Sequence, residues 1–190
     1  MLNRNRGQIR PFVAFRKEKS YNHNMKKLII INGAPGVGKS TTCMELREIL
    51  PKNVFLDGDW CWYSNPFVVT EETKKMFETN LSFLLNSFIA CSEFENIILS
   101  ICTRHENLIQ ERINSLDMTN TVAHPFILHC DKDSRMQRIK NDSSMRRRRT
   151  DIADNPKWET AFDHMQVQKI DTSNLTAKQA AEIIAGKVDF

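Results

Sequence analysis

The chain has 190 residues, 41% of them hydrophobic, and no apolar run approaches the length of a membrane-spanning helix, so the sequence reads as one core-bearing domain off the membrane. Its net charge of +4 is concentrated in the first 24 residues, where six basic side chains (Arg4, Arg6, Arg10, Arg16, Lys17 and Lys19) outnumber the single acid Glu18. The remainder is left at about −1, which argues against a dedicated nucleic-acid binder. The five cysteines, at 43, 61, 91, 102 and 130, are odd in number and form no CxxC pair, a usage that fits free thiols in a reducing cytoplasm rather than disulfides or a structural metal site.

Residues 1–24 lack apolar periodicity and read as a disordered basic extension. Met25, directly before KKLIII, reads as the start of the folded part, 25–190. Leu28–Ile31 is continuous and branched, as expected of a strand buried on both faces. A helix should run from Lys39 to about Leu50 and stop before Pro51. Asn53–Asp57 reads as a second strand and GDWCWYSNPF, from Gly58 to Phe67, as a loop. Thr70 opens a helix with acids in its first turn. Its apolar stripe, Phe77, Leu81, Leu84, Leu85 and Phe88, runs to about Cys91.

Asn96–Ile101 reads as a third strand, Glu106–Leu116 as a third helix, Pro125–Cys130 as a fourth strand and Ser134–Lys140 as a helix. A polar connection rich in arginine follows. After it come a short helix over Lys157–Met165, a last strand over Val167–Ser173 and a last helix over Thr176–Gly186. Strands alternating with helices imply a parallel sheet covered on both faces, with ligands bound at the carboxyl ends of its strands. Gly33, Asp57, Cys102 and Asp131 all fall at such ends.

Gly33-Ala34-Pro35-Gly36-Val37-Gly38-Lys39-Ser40 matches G-x-x-x-x-G-K-[ST] in full, between a strand and a helix, and Thr41 follows. Glycines let the chain curl so that backbone N–H groups point at phosphates, and the helix start adds its positive end. Lys39 suits the β- and γ-phosphates of ATP, and the Ser40 hydroxyl suits Mg²⁺. The third strand carries no acid in its IILSICTR stretch. The acids instead follow the second strand, as Asp57 and Asp59 on either side of Gly58. At a strand end, Asp57 can serve the Mg²⁺ shell while Asp59 accepts a proton from an attacking hydroxyl. A solvated Asp-Gly turn is the other reading of the pair.

With these motifs the body from Met25 to Val188 resembles the small P-loop kinases of the adenylate-kinase-like group. LDGDW is similar to the LDGD segment of gluconate kinases and adenylylsulfate kinases, and shikimate kinases and chloramphenicol phosphotransferase carry an acid in the same region. NIILSICTRHENL resembles the gluconate-kinase stretch in which a strand ends in a Cys-Ser pair, although here the order is Ser100-Ile101-Cys102. Bacterial proteins labelled AAA-family ATPase or nucleotide kinase share the FLDGDWCW segment. The resemblance implies an α/β three-layer P-loop NTPase fold with a five-stranded parallel sheet of order 2-3-1-4-5, helices on both faces, and a mobile lid at about 141–156.

It also implies that arginines after the fourth strand and in the lid offset charge on the transferring phosphoryl group. Arg135 and Arg138 share a helical face, and Arg146, Arg147, Arg148 and Arg149 lie in the lid. Asp142 stands four residues after Arg138, where related kinases often carry R-x-x-x-R. Arg138 is carried as catalytic and nucleotide-binding, and Thr172 and Asn174 as residues bordering the adenine. Trp60, Trp62, Arg104, Arg146 and Arg149 are the acceptor or lid candidates. The arginine run can equally be a solvated basic patch, and the Trp60–Phe67 aromatics a hydrophobic lining under the Phe77–Phe88 helix. Three readings stay open: a kinase acting on a small-molecule acceptor, a regulatory ATP-binding protein, and a nucleic-acid end kinase, which the charge of the body disfavours.

Overall fold

The computed structural model describes residues 25–141, 156–158 and 160–188. The expected extension over 1–24, most of the expected lid, and Arg146 to Arg149 lie outside the described residues.

Strand β1 (Lys26–Gly33) leads through the glycine turn to α1 (Lys39–Ile49), and β2 (Asn53–Asp57) is followed by α2 (Glu71–Ala90). Next come β3 (Asn96–Ser100), α3 (Glu106–Asn114), β4 (Thr121–His129), α4 (Lys132–Asn141), β5 (Gln168–Asp171) and α5 (Ala177–Val188). All four strand pairings are parallel, and the order is β2-β3-β1-β4-β5, as the sequence implies.

Burial explains the order. In β3 all five residues are buried, and in β1 everything from Leu28 onward is. Only strands with a neighbour on each side and helices on each face can be so uniformly covered. Side chains alternate along β1. Leu28 and Ile30 line a small apolar space with Leu85 of α2 and Ile109 and Ile113 of α3. Ile29 and Ile31 therefore turn to the other face, where α1 packs on α5. Helix α2 starts where the sequence places it because Thr70 and Thr73 cap each other. The Thr73 N–H donates to Thr70 Oγ1 at 3.2 Å and the Thr70 N–H to Thr73 Oγ1 at 2.9 Å.

Three local expectations change. The segment after Asp57 is not simply a loop, because Gly58–Trp62 forms a 3-10 turn. Asp57 caps it by accepting the Asp59 N–H at 3.2 Å. The expected helix over Lys157–Met165 is a 3-10 turn at Pro156–Trp158 followed by further turns. Their bonds run from the Asp163 N–H to Thr160 O and from the Met165 N–H to Phe162 O, both i to i−3 at 3.2 Å. Strand β4 starts at Thr121, four residues before Pro125, because Thr121–Ala123 pairs with Lys26–Leu28. Proline is tolerated there since β5 pairs with β4 only from Phe126 onward.

The register lines up the carboxyl edge. Asp57 is level with Ser100, Ser100 with Ile31, Gly33 with Leu128, and His129 with Asp171. Far from that edge sits His124, half-buried beside β1. Burial, and secondarily the Lys27 charge, push its imidazole below the ordinary 6.5. A base whose folded pKa is depressed binds protons more readily when unfolded. Its share of stability is therefore full above about pH 6.5 and is lost as pH falls through that value toward the folded pKa. His124→Gln should flatten the loss of stability between pH 7 and 5 in urea titrations, relative to the parent chain. An unchanged pH profile would show that His124 is not coupled to folding.

Candidate functional site

The site is built where β1 must turn sharply into α1. Gly36 and Gly38 have φ of 86° and 98°, left-handed values that cost any residue with a Cβ. A Cβ on Gly36 would lie 2.6 Å from the Ile139 side chain, so α4 rests directly on the loop. Lys39, nearly fully buried, reaches back over the loop and donates from Nζ to the Ala34 carbonyl at 3.0 Å. Ser40 Oγ donates to Asp57 Oδ2 at 3.1 Å, which brings together the hydroxyl and the carboxylate expected at a Mg²⁺ site. Asp57 is buried, whereas Asp59, two residues on, is exposed.

Burial together with the Asp57 charge pushes the neighbouring thiols of Cys43 and Cys61 up, so both remain neutral packing groups. Among the described residues no three His, Cys, Asp or Glu side chains gather as a metal site. The Ser40 hydroxyl and the Asp57 carboxylate are nevertheless oxygen donors of the kind that suits Mg²⁺.

On the α1 side of the loop lies a groove of about 780 Å³. It is lined by Gly36 to Thr42, Met44, Arg138, Ile139, Asn141, Thr172, Leu175, Thr176, Ala177 and Ala180. Its volume and mixed lining fit a nucleotide. The Arg138 guanidinium donates to Val37 O at 3.3 Å, Thr172 Oγ1 at 3.0 Å and Thr172 O at 2.5 Å. Arg138 therefore ties α4, the β5 exit and the phosphate loop together as one wall of the groove. Asn174, expected beside Thr172, is exposed and does not line the groove. Gly33, Ala34 and Pro35 do not line it either. Ala34 faces a smaller space of about 140 Å³ on the β4 side, with Arg135 and Trp158.

The aromatic candidates divide. Trp62 is half-buried, with Phe67 at 4.7 Å and Phe77 of α2 at 6.2 Å, which is the hydrophobic-lining alternative. Trp60 is exposed, and its ring lies 6.1 Å from Phe55. Arg104, past the end of β3, lies over the Trp158 ring at 5.2 Å and does not join the groove. Arg146 and Arg149 lie outside the described residues.

Sequence reasoning missed Asn32. It is buried, its Oδ1 accepts the N–H groups of Gly33 and Thr103 at 2.9 Å each, and its Nδ2 donates to Thr103 O at 2.9 Å. One side chain thus ties the start of the phosphate loop to the chain leaving β3. A lone amide closing an otherwise aliphatic strand was the available signal.

Comparison with known proteins bears on the family and the fold. Residues 29–163 match a family described as an AAA domain. The cytidylate kinase of Buchnera aphidicola subsp. Baizongia pistaciae is 30% identical over 111 residues, which cover 56% of this chain and 47% of that one. The match thus spans about half the length of that curated relative. Among solved structures, the tunicamycin resistance protein of Deinococcus radiodurans superposes with a TM-score of 0.65 at 20% identity, covering 86% of this chain and 95% of that one. The Mycobacterium tuberculosis APS kinase in complex with AMPPNP and APS superposes with a TM-score of 0.63 at 11% identity, covering 87% and 99%. At such identities the likeness is one of fold, a five-stranded parallel P-loop NTPase sheet.

Asn32→Ala leaves two buried N–H groups and a carbonyl without their partner. It should destabilise the fold by about 2 kcal/mol or more in urea unfolding. A loss below about 0.5 kcal/mol would show that water or a local shift replaces the amide.

Proposed function

The chain belongs to the AAA-domain family that it matches over residues 29–163, and on that premise we propose that it is an ATP-dependent small-molecule kinase of the cytoplasm. It transfers the γ-phosphoryl group of ATP to a hydroxyl or phosphate acceptor. One observation carries the reading: Ser40 Oγ lies 3.1 Å from the Asp57 carboxylate at the mouth of the phosphate loop, with Asp59 exposed two residues on.

Each part of the chain then has a task. The loop from Ala34 to Lys39 turns backbone N–H groups toward the phosphates, and Lys39 offsets charge on the β- and γ-oxygens. Ser40 and Asp57 would hold Mg²⁺, which when bound would supply charge neutralisation at the phosphates. Arg138 and Thr172 wall the nucleotide groove. Asp59 takes the proton of an acceptor hydroxyl as the bond from its oxygen to the γ-phosphorus forms and the bond to the leaving ADP breaks. An acceptor that is itself an ionised phosphate needs no such base.

A regulatory ATPase is less well supported, because β3 ends in Ser100, while the acids stand at the end of β2 and in the turn after it. An end kinase for nucleic acid is less well supported because the body of the chain is close to neutral.

Labelled ATP tested with sugars, sugar acids, nucleosides, nucleotides and antibiotics should identify the acceptor. Asp59→Asn should then keep MgATP affinity within about twofold and lower transfer by about 10²-fold or more, the scale of lost general-base help. Asp57→Asn should weaken nucleotide binding in Mg²⁺ and leave binding in EDTA unchanged. Full transfer by Asp59→Asn would remove its role as base. An Mg²⁺ response unchanged in Asp57→Asn would remove that carboxylate from the metal shell.

A further inference from the structure

The ten residues that follow the paired carboxylates expose much apolar area. Trp60, Tyr63, Phe67, Val68 and Val69 expose 54%, 84%, 62%, 47% and 58% of their area. Five large apolar side chains within ten residues are thus exposed on one segment, and a run of exposed apolar side chains of this size suits a binding surface. The segment is also held in place from below. Phe67 folds back on Trp62, Trp62 packs on Phe77, and the Cys61 carbonyl accepts from Asn80 Nδ2 at 3.0 Å. Further along, the Thr73 hydroxyl donates to Val68 O at 3.0 Å. The exposed rings are therefore presented by anchored backbone.

Charge narrows what such a surface can take. From Asp57 to Thr73 the sequence holds the acids Asp57, Asp59, Glu71 and Glu72 and no Lys, Arg or His. The first cation beyond it, Lys74, pairs with Glu71 at 2.7 Å. Arg112, which lies over the Phe77 ring, grips Glu78 with two bonds of 2.9 and 2.6 Å. Arg104, on the chain leaving β3, lies over Trp158. A carboxylate or phosphate set on this segment would face like charge from the exposed Asp59, with no cation of the segment to pair it. A flat apolar face would instead meet exposed rings, which stack and bury area without that cost.

We propose that the acceptor is a hydroxyl compound with an aromatic or apolar face and no anionic group, seated on Trp60, Tyr63 and Phe67 with its hydroxyl toward Asp59. This deepens the kinase reading above and rests on it. Of the two acceptor chemistries that reading allows, it selects the hydroxyl, the one that needs a base.

The test uses the full chain with MgATP and matched pairs of acceptors that differ in one anionic group: cytidine with cytidine monophosphate, and phenyl glucoside with phenyl glucuronide. Product is read by mass spectrometry, and MgATP binding is measured separately by calorimetry. The neutral member of a pair should be phosphorylated with kcat/KM at least about tenfold above its anionic partner. Tyr63→Ala and Trp60→Ala should raise the KM for that neutral acceptor by about tenfold while MgATP affinity and melting temperature hold. Preference for the anionic members overturns the proposal. So does an acceptor KM unmoved in both variants, or silence from every neutral probe while MgATP binds. A concentration-dependent dimer that Tyr63→Ala dissociates would assign the patch to a second copy of the chain and likewise overturn it. Failure of MgATP to bind at all would instead overturn the kinase reading on which the proposal rests.

Discussion

Where the central strand ends, the chain has no room for a side chain. A Cβ on Gly33 would lie 2.4 Å from the carbonyl oxygen of Leu128, so β1 can stay paired with β4 to its last residue only if that residue is glycine. The rest of the site follows from this close approach. The phosphate loop leaves the sheet at one fixed point, Asn32 ties that point to the exit of β3, and α4 closes over Gly36 with Ile139. Arg138 then draws the β5 exit onto the same loop through Val37 and Thr172. A loop that would be mobile alone is held by three neighbouring elements, which suits a site that must present backbone N–H groups without reorganising.

The same edge keeps charges in separate roles. Asp57 is buried against Ser40 and spends its second oxygen on capping the turn, so its position is set by the fold. Asp59, only two residues away, is exposed. The 3-10 geometry separates the environments of two chemically equal carboxylates, and different environments allow different tasks. Beyond them the apolar segment carries no charge until α2 begins at Glu71.

Most of this was legible in the sequence for identifiable reasons. The strands that cross the middle of the sheet are short aliphatic runs bounded by turn signals, the pattern of a strand buried on both faces. The glycine spacing and the Thr70 start of α2 are stereochemical signals that tertiary context does not override. The helix expected over Lys157–Met165 failed because Trp158, Phe162 and Met165 stand at helical spacing. In the fold they are held by successive short turns, with Trp158 and Phe162 stacked at 6.2 Å. Asn32 escaped notice because its value depends on Thr103, 71 residues away, a pairing that local pattern cannot contain. Trp60 and Trp62 looked alike in sequence and divide only because Phe67 and Phe77 cover one of them.

The central claim is that the Gly33–Ser40 loop binds the phosphates of ATP through Lys39. Calorimetric titration of ATP in Mg²⁺ into the parent chain and into Lys39→Ala, with melting temperatures recorded beside it, tests that claim most directly. The account predicts saturable one-to-one binding by the parent chain and a loss of about tenfold or more in Lys39→Ala, with the fold retained. Equal affinity in the two proteins, or no binding by a folded parent chain, would contradict it.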